Sequence, residues 1–252
     1  MNAEQIPDRL PPDFFETPFT GRALKDFAEC RRKFLLSRFV PRQETRRFLG
    51  GGAILHQGLR GAIAEAYQQG ADSIVELFDE YFEGHLCADS LTEENLRRQG
   101  RAIVSDFATD WMADHPEALH VDLTLTEEMY DARFRAVADL VFEGDDTDIL
   151  VVRLNSSRRP PSENELSEDI TALLLLLLSR RHFEPESASV AYYCLRAGRL
   201  QTVEADGETV EYLKRDLESR VQRIKRERRF EARPGKHCRW CRARGVCEAW
   251  KR

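Results

Sequence analysis

Three thiols, Cys238, Cys241 and Cys247, follow one another as C-x2-C-x5-C near the end of a 252-residue chain. Gly245 lets the segment turn tightly, and so dense a set is ill suited to an apolar core. Arginines flank the thiols, and nearby positive charge favours the thiolate, the form that ligates metals. A closed zinc site or an iron–sulfur cluster needs a fourth sulfur. Cys87 and Cys194 sit in apolar segments, whereas Cys30 precedes Arg31, Arg32 and Lys33 and is the better fourth ligand. The expected set is Cys30, Cys238, Cys241 and Cys247, a clasp tying the tail to the first helix, and four thiolates suit iron–sulfur or zinc.

Local patterns predict the elements that would carry these residues. Residues 1–18 are polar and proline-rich and read as an extended arm. Thr20 is an N-cap for a helix carrying Leu24, Phe27, Phe34 and Leu35 to about Phe39. Residues 42–49 are a charged connector. Gly50, Gly51 and Gly52 open a second helix that ends near Gly70, and two more are expected at about 72–86 and 92–114. The period then changes to alternation at Val121, Leu123 and Leu125, and again at Phe134, Ala136 and Ala138, with a turn at 130–132 between them. A turn at 144–146 leads to a short buried strand at 149–152, so these strands read as a three-stranded meander. A polar loop over 156–165 precedes an apolar helix to about Arg181. Strands at about 188–195 and 200–205 and a charged helix over 208–229 complete the chain. This order argues an α/β sandwich with a helical insertion near its start. Residues 19–252 read as a single domain: a helical part over 19–118, a sheet core over 119–206, and a basic helix with the cysteine clasp over 207–252.

Hydrophobic content of 42% and charged content of 33% indicate a soluble globular protein. The longest apolar run, Ala172 to Leu178, is far too short for a membrane span. With no signal peptide visible, metal-like cysteine spacing points to a reducing, cytoplasmic setting. Net charge is −6, yet residues 211–252 hold 15 Lys and Arg against 6 Asp and Glu, leaving −15 on residues 1–210. A basic tail on an acidic body suggests polyanion contact on one face. Arg220, Arg223, Lys225, Arg226, Arg228 and Arg229 lie close together there, and Arg223, Arg226, Arg229, Arg239 and Arg242 are the expected DNA contacts.

Three segments together resemble the RecB-type branch of the PD-(D/E)XK nucleases. They resemble most closely its iron–sulfur members, the AddB-type helicase–nuclease subunits and the CRISPR-adaptation exonucleases. Thr20, Leu24, Phe27, Cys30 and Phe34 match the opening helix with its first cluster cysteine. Gly52 to His56 matches the G-x3-H motif, and Cys238, Cys241 and Cys247 match the closing cysteines. The resemblance spans about residues 19–250. It implies a restriction-endonuclease-like α/β core with a mixed central sheet flanked by helices, and it favours a 4Fe–4S cluster, with zinc as the other choice.

In that family a His, two acids, a Lys, a Gln and a Tyr build a Mg²⁺ site. His56 and Asp139 match the His and the first acid. Arg153 stands where the second acid belongs, Asn155 where the Lys belongs, and Thr171 and Leu175 where the Gln and Tyr belong. Hydrolysis of a phosphodiester needs carboxylates to hold Mg²⁺. Arg153 removes a ligand and repels the ion, and pairing with Asp139 is its natural use. The resemblance therefore implies a pseudo-nuclease that keeps DNA binding and the clasp, serves repair, recombination or defence, and has a helicase or defence-complex subunit as partner. Mg²⁺ or Mn²⁺ should bind poorly, and no membrane is involved. Two other readings stand beside it. One is an active nuclease with a relocated acid among Glu127, Glu128, Asp148, Glu163, Glu165, Glu168 and Asp169. The other is a structural protein whose cluster senses redox state.

Overall fold

The computed structural model describes residues 12–39, 50–70, 73–143, 149–183, 188–203, 205–241 and 243–250. The connector at 42–49 and the turn at 144–146 lie outside them. In chain order the elements are α1 (Gly21–Glu29), α2 (Arg31–Phe39), α3 (Gly51–Gln69), α4 (Ile74–Tyr81), α5 (Ser90–Phe107), β1 (His120–Val121), β2 (Thr124–Met129) and β3 (Ala132–Val137). There follow β4 (Leu140–Glu143), β5 (Ile149–Asn155), α6 (Glu163–Ser167), α7 (Ile170–His182), β6 (Ala188–Cys194), β7 (Arg199–Thr202) and α8 (Gly207–Arg226).

Local chemistry sets several boundaries. The Thr20 hydroxyl accepts the Ala23 N–H at 3.1 Å and starts α1. Gly70, at φ 65°, ends α3 in the left-handed conformation that favours glycine. The single helix expected up to Phe39 is broken at Cys30, which is extended at φ −155°, ψ 112°. Its Sγ accepts the Lys33 N–H at 3.5 Å and the Arg233 N–H at 3.4 Å. Ser162 and Glu165 form a reciprocal cap, so part of the expected polar loop is the helix α6.

The chain divides into two units, one of residues 1–48, 126–136 and 206–252, the other of 49–125 and 137–205. In the first, a 3-10 turn at Pro12–Phe15 replaces the extended conformation expected for that stretch. Phe14 is buried there, and its ring packs edge-on against Phe34, 5.6 Å between centroids. Phe19 joins β3: its N–H donates to the Arg133 carbonyl at 2.6 Å, and its carbonyl accepts the Arg135 N–H at 2.8 Å. Phe34 stacks on Phe19 and on Phe230. Leu213, Leu217, Val221 and Ile224 form the buried stripe of α8 at helical spacing.

The second unit holds a sheet of order β1-β4-β5-β6-β7. Only the β5–β6 pair is parallel among its pairings, with α6 and α7 in the crossover. Leu140, Phe142, Val152, Leu154 and Tyr193 share a core with Leu55 and Leu59 of α3, Phe78 of α4 and Val104 of α5. Val151, Val190 and Cys194, on the opposite face, are also buried, and α7 packs on β6. The nearly all-round apolar surface of α7 follows from this position. Ala108–Met112 closes α5 as a π-helical turn.

The expected meander is divided. β2 and β3 form a sheet of their own, whereas β1 and β4 join the larger one. The change occurs between two residues: the Ala138 N–H donates to the Leu123 carbonyl at 2.9 Å, and the Asp139 N–H donates to the Val152 carbonyl at 3.0 Å. Asp139 therefore sits where the chain passes from one sheet to the other.

Candidate functional site

Helical spacing brings His56 and Arg60 onto one face of α3, one turn apart. Asp139, whose side chain is 1% exposed, receives Arg60 Nε. Arg60 also donates through Nη2 to Asp122. Arg153 of β5 reaches Asp139 through Nη1 to Oδ1 and Nε to Oδ2, both at 3.3 Å, and donates to the Val137 carbonyl at 2.6 Å. The Leu154 N–H donates to Oδ2 at 2.8 Å. A carboxylate has about four acceptor positions. At Asp139 three hydrogen bonds, from Arg60 Nε, Arg153 Nη1 and the Leu154 amide, are joined by the Arg153 Nε ion-pair contact at Oδ2, so two guanidiniums and one amide crowd the carboxylate.

The electrostatics agree with this geometry. Burial acts against the charge on Arg60, but Asp139 and Asp122 outweigh it and raise its pKa. Burial lowers the pKa of His56; Asp139 opposes that, and Arg153 and Arg60 add to it. The imidazole is thus biased toward the neutral form, and its buried Nδ1 has no hydrogen-bond partner among the described residues. Tyr192 pairs in register with Arg153 across β5 and β6. Burial pushes its hydroxyl up to about 12; Arg153 acts against this, and Asp169 and Asp139 support it.

The other expected substitutes have different roles. Asn155 Oδ1 accepts the N–H and the hydroxyl of Ser157 at 2.8 and 2.6 Å, closing the end of β5. The Thr171 N–H donates to Asp169 Oδ1 at 2.6 Å in the first turn of α7, and Leu175 is buried. Of the acids considered as relocated ligands, Glu165 caps α6, Glu128 pairs with Arg133, and Asp148 lies outside the described residues. Arg60 and Asp122 were not among the residues singled out by sequence. The i, i+4 relation of Arg60 to His56 is the signal that could have found it.

In the first unit, Cys30, Cys238, Cys241 and Cys247 line one pocket with Lys33, His237 and Trp250. The Gly235 N–H approaches Cys238 Sγ at 3.4 Å, so two of the four sulfurs accept backbone N–H groups. Burial raises the Cys241 pKa; the Ala243 amide and Lys33 oppose it, and the nearby Cys247 and Cys30 thiols add to it. All four cysteines are free thiols. An all-sulfur donor set with amide donors to sulfur, lined also by the buried Lys33, fits an iron–sulfur cluster or zinc. Among the described residues, no three His, Cys, Asp or Glu side chains are drawn together tightly enough to hold a metal ion. Ion pairs join the same segments: Arg31 to Glu227, and Arg32 to Glu248 at 3.0 Å. Cys194 lies elsewhere, with its Sγ 3.2 Å from Gln201 Oε1.

The basic tail is more divided than its composition suggests. Arg220 pairs with Asp216 at 2.6 Å, and Lys225 with Asp131 at 3.4 Å. Arg229 is 3.7 Å from Glu231. Arg223, Arg226 and Arg239 are exposed, and Arg242 lies outside the described residues.

A mixed sheet with a crossover helix at its one parallel pair, flanked by helices that carry a His toward a strand-junction acid, defines a mixed α/β nuclease-type fold. The family model for the PD-(D/E)XK nuclease superfamily matches residues 18–248, and the chain belongs to that superfamily. Among solved structures it is similar to a protein from Eubacterium rectale named as a candidate exonuclease, at 11% identity, over 96% of this chain and 92% of that one, with TM-score 0.54. It also aligns with SSO0001 at 12% identity, over 77% and 84% of the two chains, with TM-score 0.35. No curated protein matches the chain. No helix among the described residues is long and apolar enough to cross a membrane.

Proposed function

We propose that this chain is a DNA-binding pseudo-nuclease: a PD-(D/E)XK fold that grips nucleic acid without cutting it and serves as a binding or scaffold module in repair, recombination or defence. The observation that carries this reading is the engagement of Asp139 by two guanidiniums, Arg60 and Arg153, together with the Leu154 amide. A Mg²⁺ ligand must offer a lone pair and negative charge. Here the acid is already neutralised, and a second cation would meet two guanidiniums. The cysteine pocket would hold a 4Fe–4S cluster through Cys30, Cys238, Cys241 and Cys247, with zinc as the other metal that four thiolates accept. Either group would crosslink α1 and α2 to the tail.

The test is digestion of single- and double-stranded DNA with Mg²⁺ or Mn²⁺, using folded protein. No cleavage is expected, and added metal should leave the melting temperature almost unchanged. Metal-dependent cleavage abolished by Asp139→Ala would overturn the proposal. One observation favours the active alternative. Arg60 bridges Asp139 and Asp122, one helical turn from His56, so a divalent ion could take that bridging place if Arg60 withdrew. Cleavage lost in both Asp122→Ala and Asp139→Ala would establish that version. For the pocket, anaerobically purified protein should be brown and bleach in Cys30→Ser. Stoichiometric zinc without iron would replace the cluster with a zinc clasp.

A further inference from the structure

The cysteine segment carries a feature that neither the pocket nor the Asp139 site uses. Trp240 is 84% exposed, more than the other exposed large apolar residues. It ends the 3-10 turn Lys236–Trp240, which is followed directly by Cys241 of the pocket wall. The backbone under it is fixed by the Cys238 N–H to the Gly235 carbonyl at 3.0 Å and the Cys241 N–H to the Cys238 carbonyl at 3.3 Å. Lys236 and Arg239 are three residues apart and so lie on one face of that turn. Both are exposed. No ion pair engages their side chains, or those of Arg228 and Arg233, among the described residues.

An indole left in water on a turn that also carries the exposed Lys236 and Arg239 calls for a partner that is flat, apolar on its faces and anionic beside them. We infer that Trp240 is a stacking platform for an unpaired nucleobase, with Lys236 and Arg239 on the adjoining phosphates, so that this surface takes single-stranded nucleic acid. In a duplex each base face is already covered by its neighbours, whereas in a single strand it is available to an aromatic ring. A protein partner would be met by an apolar ring around the tryptophan, and here the same turn carries Lys236 and Arg239. Trp250, by contrast, lines the cysteine pocket. The inference rests on the nucleic-acid reading above and gives it a strandedness.

The experiment measures affinity of the full chain, as purified with its metal, for a short oligothymidylate, the same backbone with abasic sites, and a blunt duplex, across a salt series. Trp240→Ala should weaken oligothymidylate binding about ten-fold, and Trp240→Phe by much less, since base–aromatic stacking tolerates a smaller ring. The salt slope should be unchanged in Trp240→Ala, because stacking releases no counterions, and shallower in the Lys236→Ala/Arg239→Ala double variant. The abasic strand should bind wild type and Trp240→Ala equally. Undiminished oligothymidylate affinity in Trp240→Ala, or a tryptophan effect equally large on the abasic strand, would overturn the stacking proposal while leaving salt-dependent DNA binding in place. Absence of salt-dependent binding to all three probes would overturn both this inference and the DNA-binding reading. Unchanged melting of Trp240→Ala shows that the fold is intact.

Discussion

At Asp139 the balance of charge is local and nearly complete: two guanidiniums face two carboxylates, Asp139 and Asp122, and the Leu154 amide donates to Asp139. Removing the buried acid leaves Arg153 with the Val137 carbonyl and no carboxylate, and leaves Arg60 with Asp122 alone. Breaking a buried ion pair from one side costs about 3–5 kcal/mol. Because Arg153 and Arg60 keep 27% and 35% of their side-chain surface in water, Asp139→Ala should fall at the lower end, about 3 kcal/mol; urea unfolding measures it. His56 adds a pH dependence. Its folded-state pKa lies below the ordinary 6.5, so below that value the unfolded chain binds the proton more readily. The stabilisation is in full force above 6.5 and declines as pH falls from there toward the lower folded-state value. Wild type should therefore lose more melting temperature between pH 7.5 and 5.5 than His56→Gln does; equal losses would contradict the assignment. The pairing of Arg153 with Asp139 was legible in sequence, because Arg153 stands in a buried strand at an acid's position. Arg60 was not, since its partner lies 79 residues away and an arginine on an amphipathic helix ordinarily faces water.

At the scale of elements, capping and turn residues made the starts legible. Thr20, Gly70 and the pair Tyr130 and Asp131, at φ 57° and 52°, mark boundaries by their own chemistry. The break at Cys30 left no such mark: apolar spacing continues through it, and the contact that accompanies it, from the Arg233 amide to the Cys30 sulfur, joins residues 203 positions apart. The division of the meander at Asp139 was equally hidden, because alternation records which residues face inward and not which strand they pair with. Packing of α4 against α5 gives a direct test. A Cβ on Gly100 would run into the Phe78 ring. Gly100→Ala should destabilise the protein by about 1–3 kcal/mol by overpacking, despite alanine's better helix propensity, as a shift in urea midpoint. A neutral or stabilising result would mean that Phe78 yields.

At the scale of the molecule, the sequence order of helical part, sheet and tail does not describe the units that form. Residues 12–39 join 126–136 and 206–250 in one unit, whereas α3 to α5 join the larger sheet. Linear patterns carry no term for such interleaving. All four cysteines of the pocket fall in the first unit, so loss of the proposed metal should act first on that unit. Chelation, or Cys30→Ser, should raise hydrogen exchange in 12–39 and 227–250 far more than in β4, β5 and β6, whose amides are held by the sheet. Uniform loss of protection would show instead that the metal site stabilises the whole chain.

The same interleaving sets a schedule for synthesis. Phe230, on which Phe34 stacks, and the buried stripe of α8 leave the ribosome nearly two hundred residues after Phe14, Phe19 and Phe34. At about 5–20 residues per second, that is a wait on the order of ten to forty seconds. For that interval the first helices present an aromatic surface with its eventual cover not yet made. A message slowed between the two segments would lengthen the exposure.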